Sequence, residues 1–343
     1  MNDNNLIKPA KLSPGDTIGI ISPSGAIKDK SFIENTANFF TGKGYNVRVS
    51  SNAANKNAYF AGKDSERLSD LTSFFEDREI KGIFCSRGGY GCARILSGID
   101  YNLIKRNPKI FLGYSDITAL LLSFYKNLSI VTFHGPLAVA DFGRGETNKF
   151  TEEYLFKILE GKLPLPHIFN NPFQYECINA GEAEGVLLAG NLSLICSLIG
   201  TPYLPDLKNK ILLIEEIGEP LYKIDRMLMQ LKLSGILNNL KGLLFGEFSS
   251  VVKSEDQSVN TLEPIDIIKE LTQDVNIPIG YVFPCGHSQT KATLPLGINY
   301  YFNSSDFKLE LREEYLSLFI FPYNRLFGIR KSFYGVSEHS SLH

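Results

Sequence analysis

Ser115 is the residue best placed to do chemistry. It stands in FLGYSDITALLL, where an apolar strand pattern runs through Gly113-Tyr114-Ser115-Asp116 straight into an apolar helical pattern. Strand, tight turn and helix in that order put a hydroxyl at the carboxyl edge of a sheet. It then faces a helix N-terminus, where backbone N–H groups and the helix dipole favour developing negative charge. The context suits a nucleophile, although the run departs from G-x-S-x-G because Asp116 and Ile117 follow the serine. The competing reading is that Ser115 or Asp116 only caps the helix that follows.

A serine nucleophile needs a base, and the chain has five histidines. His339 and His343 lie in the last residues and His167 beside Pro166, which leaves two candidates. His134 ends the run SIVTF before Gly135-Pro136, where it can reach the same sheet edge or organise a turn through a backbone hydrogen bond. His287, in FPCGHSQTKATLPLG, sits in a loop between Gly286 and Ser288, from which it can be aimed across a cleft. The residues alone do not choose between them. An orienting carboxylate is expected at a strand end, and KILLIEEIGEP offers Glu215 and Glu216 closing an apolar strand, with Glu219 read as a solvated turn residue. The order Ser, Glu, His is one in which such triads occur on α/β folds. In CSRGGYGCARIL, Arg87, Gly88, Gly89, Tyr90 and Gly91 follow a strand directly, and the glycines permit close backbone approach to a ligand. Exposed N–H groups there can form an oxyanion hole or cradle a phosphate. The absence of G-x-G-x-x-G and of a Walker lysine counts against a nucleotide.

These residues need a scaffold. DTIGIIS (16–22), YNVRVS from Tyr45, and EIKGIFCS (79–86) read as strands, with helical spacing at 31–42 and 65–75 between them. KIFLGYS (109–115) and SIVTFHGP (129–136) extend a mostly parallel, Rossmann-like α/β sheet whose site lies at the carboxyl ends of its strands. This first domain is expected to span 1–140. A polar stretch from 141 to 185, carrying Gly143, Gly145, Pro164, Pro166 and Pro172, reads as an irregular linker. A sheet-rich second domain over 186–320 follows, with a helix near 191–200, strands at 210–216 and 242–248, an amphipathic helix near 222–233, and short apolar runs at 279–283 and 307–312. The tail, 321–343, has no assigned role.

Composition narrows the partners. Thirty-five basic and 37 acidic residues leave a net charge of -2 with no basic face for nucleic acid. Five scattered cysteines form no CxxC or Cys/His zinc pattern, so reduced thiols and no metal or cofactor are expected. No cationic start leads into an apolar h-region and no apolar run approaches bilayer length, so a soluble cytoplasmic protein is expected, with no membrane partner.

Taken in order, LSPGDTIGIISPSG, YFAGKDSERLSDL, IFCSRGGYGCARIL, FLGYSDITALL, VTFHGP, LLAGNLSLICSLIGTPYLPDLKNKILLIEEIGEPLYKIDRML and GHSQTKATLPLG resemble the LD-carboxypeptidase family of serine peptidases over roughly residues 8–319. The resemblance implies a Rossmann-like domain holding the nucleophile and a sheet-rich domain giving the glutamate and histidine. It implies a catalytic set of Ser115, Glu215 and His287, with oxyanion donors at the Gly89 and Asp116 backbone N–H groups. The family usually has Glu-Asp where this chain has Glu215-Glu216, and Gly-Gly-Asn where it has Ala189-Gly190-Asn191. The implied activity is metal-free hydrolysis of the amide between the L-centre of a diamino acid and a terminal D-alanine in muropeptides, by a homodimer. Arg87 and Tyr90 beside the glycine turn are the substrate-binding candidates. Arg94 is an alternative carboxylate partner or a surface ion pair on a helix. A branch of the same family that hydrolyses toxic peptidyl- or aminoacyl-nucleotides shares the triad. A non-catalytic ligand-binding module is a third reading, which triad atoms out of mutual reach would favour.

Overall fold

The computed structural model describes residues 6–145, 147–252 and 262–317. The tail expected at 321–343 lies outside the described residues. Parallel strands form where helices cover both faces of the sheet, from buried apolar runs at its centre and from the half-exposed NVRV at its edge. Five of them, β1 (Thr17–Ile21), β2 (Asn46–Val49), β3 (Ile80–Cys85), β4 (Ile110–Gly113) and β5 (Thr132–His134), alternate with helices that include Ser31–Gly42, Asp64–Glu76 and Thr118–Leu128. A second sheet is begun by β6 (His167–Ile168), β7 (Glu176–Asn179), β8 (Glu182–Asn191), β9 (Ile211–Ile217), β10 (Gly242–Ser249) and β11 (Ile279–Tyr281). The chain then returns to the first sheet as β12 (Leu294–Leu296), and β13 (Asn299–Asn303) and β14 (Lys308–Leu311) complete the second.

The first sheet runs β12-β5-β4-β3-β1-β2 and the second β6-β14-β13-β8-β9-β10-β11-β7. Strands β8 to β11 are mutually parallel, while β12 pairs antiparallel with β5, setting Leu294 opposite His134. Buried side chains from both sheets form one contiguous cluster. Among the described residues no helix is long and apolar enough to cross a membrane.

One expectation needs correction. The stretch 141–185 contains the helix Lys149–Leu159, whose N-terminus is capped by Asn148 and whose Tyr154, Leu155, Ile158 and Leu159 are buried. It packs on the first sheet's side of the molecule, with Phe156 stacked on Tyr45 at 5.9 Å and the Tyr45 hydroxyl donating to Glu160. After β10, where strand signals dominate the sequence, the structure adds the helix Pro264–Thr272, which opens with proline in its first turn and a capping box between Glu263 and Asp266.

Candidate active site

Strand β4 ends at Gly113, where an added Cβ would lie 2.9 Å from Ile117, so only glycine lets the chain turn this tightly into the next helix. Ser115 takes φ +62°, a left-handed conformation that costs a β-substituted residue about 1–3 kcal/mol and persists where surrounding packing enforces it. The residue is partly exposed there. Asp116 does not cap its own helix. Its buried Oδ2 accepts from Ser24 Oγ at 2.6 Å and from the Cys92 backbone N–H at 2.9 Å, tying the nucleophile turn to two neighbouring loops.

The structure brings Ser115, His287 and Glu215 together from different elements. Ser115 Oγ lies 3.0 Å from His287 Nε2, and His287 Nδ1 lies 2.7 Å from Glu215 Oε2. With the ring protonated at Nδ1, His287 donates to the carboxylate and accepts from the serine hydroxyl, the tautomer a general base requires. Glu215 is fully buried near the end of β9, and the hydrogen bond with His287 offsets part of its desolvation. Gly286 precedes the histidine at φ +129°, and a Cβ there would fall 3.3 Å from that of Glu215. The loop therefore passes close over the carboxylate because it carries no side chain at that point.

The next residue, Glu216, points to the opposite face, as strand alternation requires. Its carboxylate accepts from Asn191 Nδ2 at 2.8 Å and from Ser193 N–H and Oγ at 2.8 and 2.7 Å, so it organises the start of the helix Leu192–Leu198. Burial pushes its pKa above the usual carboxylate range against these hydrogen bonds. Glu219 pairs with Lys223 one helical turn on, at 3.0 Å. His134, the other histidine candidate, is buried with Nε2 3.1 Å from Cys285 Sγ, and burial pushes its pKa down to about 4. It is a neutral ring that engages a thiol and does not reach the serine.

Beside Ser115 stands the glycine turn. A Cβ on Gly88 would lie 2.6 Å from Ser115 Oγ and 3.6 Å from the Asp116 amide nitrogen, so hydroxyl and amide border one space that any side chain at Gly88 would fill. Gly89 is exposed with φ +124°. Arg87 Nη1 donates to the Ala26 carbonyl at 2.7 Å with its side chain half-buried, and Tyr90 is 49% exposed. Both therefore remain open to a ligand. Arg94 forms the surface ion pair considered for it, with Asp64 at 2.8 Å. Gly88 is among the glycines that the sequence singles out, and its closeness to the serine is what the fold adds. Sequence reasoning missed two participants. Buried Arg67 donates to the Gly91 carbonyl at 2.9 Å and to that of Pro23, pinning the turn. Tyr114 packs edge-on against His287 with ring centroids 4.9 Å apart, a contact between segments distant in the chain. Among the described residues no group of three or more His, Cys, Asp or Glu side chains is arranged to hold a metal. The arrangement as a whole can deprotonate a serine for attack on a carbonyl and offer amide donors to the oxyanion formed.

Comparison with known proteins places the same two regions in one family. Residues 18–135 match the LD-carboxypeptidase N-terminal domain and residues 184–301 the LD-carboxypeptidase C-terminal domain. The probable murein peptide carboxypeptidase of Bacillus subtilis is 36% identical over 307 residues, covering 87% of this chain and 92% of its own. The microcin C7 self-immunity protein MccF of Escherichia coli is 27% identical over 344 residues, covering 92% of this chain and 99% of its own. The wild-type apo structure of a protein of that name superposes with a TM-score of 0.84 at 25% identity, covering 91% of this chain and 100% of its own. A muramoyltetrapeptide carboxypeptidase structure from Oxalobacter formigenes gives 0.76 at 28% identity, covering 88% of this chain and 100% of its own.

Proposed function

The chain belongs to the LD-carboxypeptidase family, and we propose that it is a serine carboxypeptidase that removes a terminal D-alanine from muropeptide tetrapeptides, leaving tripeptides. The observation that carries the reading is the continuous contact from Ser115 through His287 to Glu215, at 3.0 and 2.7 Å. His287 takes the Ser115 proton as Oγ attacks the carbonyl of the diamino acid's L-centre, and Glu215 stabilises the imidazolium that results. The oxyanion is held by the backbone N–H groups of Gly89 and Asp116. His287 then protonates the leaving amine of D-alanine and activates the water that frees the acyl group from Ser115. Arg87, with guanidinium donors beyond the one given to Ala26, pairs with the substrate's terminal carboxylate, and Tyr90 lines the approach. A cytoplasmic homodimer working on recycled wall fragments is the setting this reading implies.

A second reading has specific support in the likeness to the microcin C7 self-immunity protein, namely hydrolysis of a peptidyl- or aminoacyl-nucleotide by the same triad. One assay separates them. The protein is incubated with a muropeptide tetrapeptide, the matching pentapeptide and an aminoacyl-adenylate analogue, and products are identified by mass. D-Alanine released from the tetrapeptide alone supports the first reading. Turnover of the nucleotide conjugate alone replaces it with the second.

A further inference from the structure

Lys291 lies four residues beyond His287, and its side chain is only 3% exposed. A buried ammonium is costly unless paired, and a methionine of similar length would fill the same space without that cost. The charge therefore calls for an explanation that packing does not give. Its Nζ lies 2.5 Å from Asp141 Oδ1 and 4.9 Å from the centroid of the Tyr114 ring. Asp141 is itself fixed, because its Oδ2 accepts the Leu137 backbone N–H at 2.7 Å. Tyr114 immediately precedes Ser115, is 5% exposed, and packs edge-on against the His287 ring at 4.9 Å and 69°. One ring thus touches the base, adjoins the nucleophile and bears a cation on its face.

The same loop is held along its length by residues from 141–151. Asn148 Nδ2 donates to Thr290 Oγ1 at 3.0 Å, Thr151 Oγ1 donates to the Gln289 carbonyl at 2.8 Å, and the Lys291 N–H donates to Thr151 Oγ1 at 3.0 Å. These neutral contacts hold the loop's backbone. The Asp141–Lys291–Tyr114 chain is the part that reaches the catalytic rings.

We propose that Lys291, anchored by Asp141 and seated on the Tyr114 ring, is a positioning residue that fixes the His287 imidazole against the Ser115 hydroxyl. A cation over an aromatic face restricts the ring's tilt, and an edge-on neighbour inherits that restriction. Ser115 and His287 come from segments 172 residues apart, so their alignment depends on such cross-links.

The inference rests on the triad reading, and a fluorophosphonate probe keeps the two separable. Such a probe phosphonylates an activated serine with loss of fluoride and requires no knowledge of the natural substrate. Wild-type labelling that disappears in Ser115→Ala upholds the triad, whereas an unlabelled wild type overturns triad and inference together. Lys291→Met, which keeps the stem and removes the charge, should lower the maximal labelling rate by roughly 10- to 100-fold, the scale of a sub-ångström to one-ångström misplacement, with the probe's half-saturation concentration unchanged. Lys291→Arg should recover most of that rate. A folded Lys291→Met labelling at the wild-type rate, or Lys291→Arg as slow as Lys291→Met, would overturn the proposal. Asp141→Asn keeps the lysine but loosens its anchor. It should slow labelling in the same sense, and a wild-type rate there would count against the proposal even if Lys291→Met does not fold.

Discussion

A Cβ at Gly88 would sit 2.6 Å from Ser115 Oγ and 2.7 Å from Ser115 Cβ, closer than real Cβ contacts allow. Gly88→Ala should therefore cost at least ~10²-fold in kcat, the order seen when an oxyanion-hole donor is lost, together with about 1–3 kcal/mol of stability from the overlap. A variant of near wild-type activity would show that the substrate carbonyl lies elsewhere. The two histidines part at the same scale. His287→Gln removes the proton acceptor and should abolish nearly all turnover, whereas His134→Gln should keep far more, because His134 contacts Cys285 and not the serine. Equal loss in both folded variants would move the base assignment. His134 also has a stability signature. Its folded pKa of about 4 lies below its ordinary 6.5, so on acidification the unfolded chain takes the proton first. The stability contributed by the neutral ring is thus complete above pH 6.5 and is lost as pH falls towards 4, by on the order of 3 kcal/mol. Urea titrations at neutral and acid pH should show a smaller acid loss for His134→Gln than for wild type, and an identical loss would refute the neutral buried ring.

At the scale of elements, adjacent carboxylates on β9 do different jobs because a strand sends successive side chains to opposite faces. Glu216→Ala leaves the Ser193 N–H and the Asn191 amide without their acceptor and should destabilise the fold by ~1–3 kcal/mol, read as a lower denaturation midpoint. Its activity should fall far less than that of Glu215→Ala, and the reverse ranking would reassign the triad acid. Both carboxylates are buried, so the exposure that usually betrays strand phase was silent in KILLIEE, and only family likeness favoured Glu215. Other elements were legible from the chain alone. Four of the five parallel strands from Thr17 to His134 are apolar runs bounded by turn residues, the edge strand NVRV being the exception, and FLGYSD announces its turn because a strand meets a helix there. The helix Lys149–Leu159 was hidden because glycines and prolines crowd both its flanks, although Asn148 is a good N-cap. Strand β12 was invisible for a different reason. It is three residues with proline at its centre, which lacks a donor and is tolerated because the strand lies at a sheet edge. The choice between His134 and His287 depends on which loop crosses to the serine, a long-range fact that no local pattern encodes.

At the scale of the molecule, the two sheets are not independent. The chain leaves the second sheet to add β12 beside β5 and then goes back, and the buried clusters of both sheets are continuous. The chain should therefore unfold as one unit. With no tryptophan and 16 tyrosines, urea unfolding followed by tyrosine fluorescence and by far-ultraviolet circular dichroism should give coincident transitions, and two separated transitions would contradict the shared core. The same coupling assembles the candidate site, because Ser115 is held by the first sheet and Glu215 by the second, with His287 in a loop moored to both. On the proposed mechanism Ser115 carries the acyl group in transit. Acid-quenching the protein during turnover of a muropeptide tetrapeptide and measuring the mass of the peptide that contains residue 115 reads that group out. A transient increase equal to the tripeptide acyl group is expected on Ser115 and is absent in Ser115→Ala. D-Alanine release undiminished in Ser115→Ala, with no acyl group found on the wild-type serine, would contradict it.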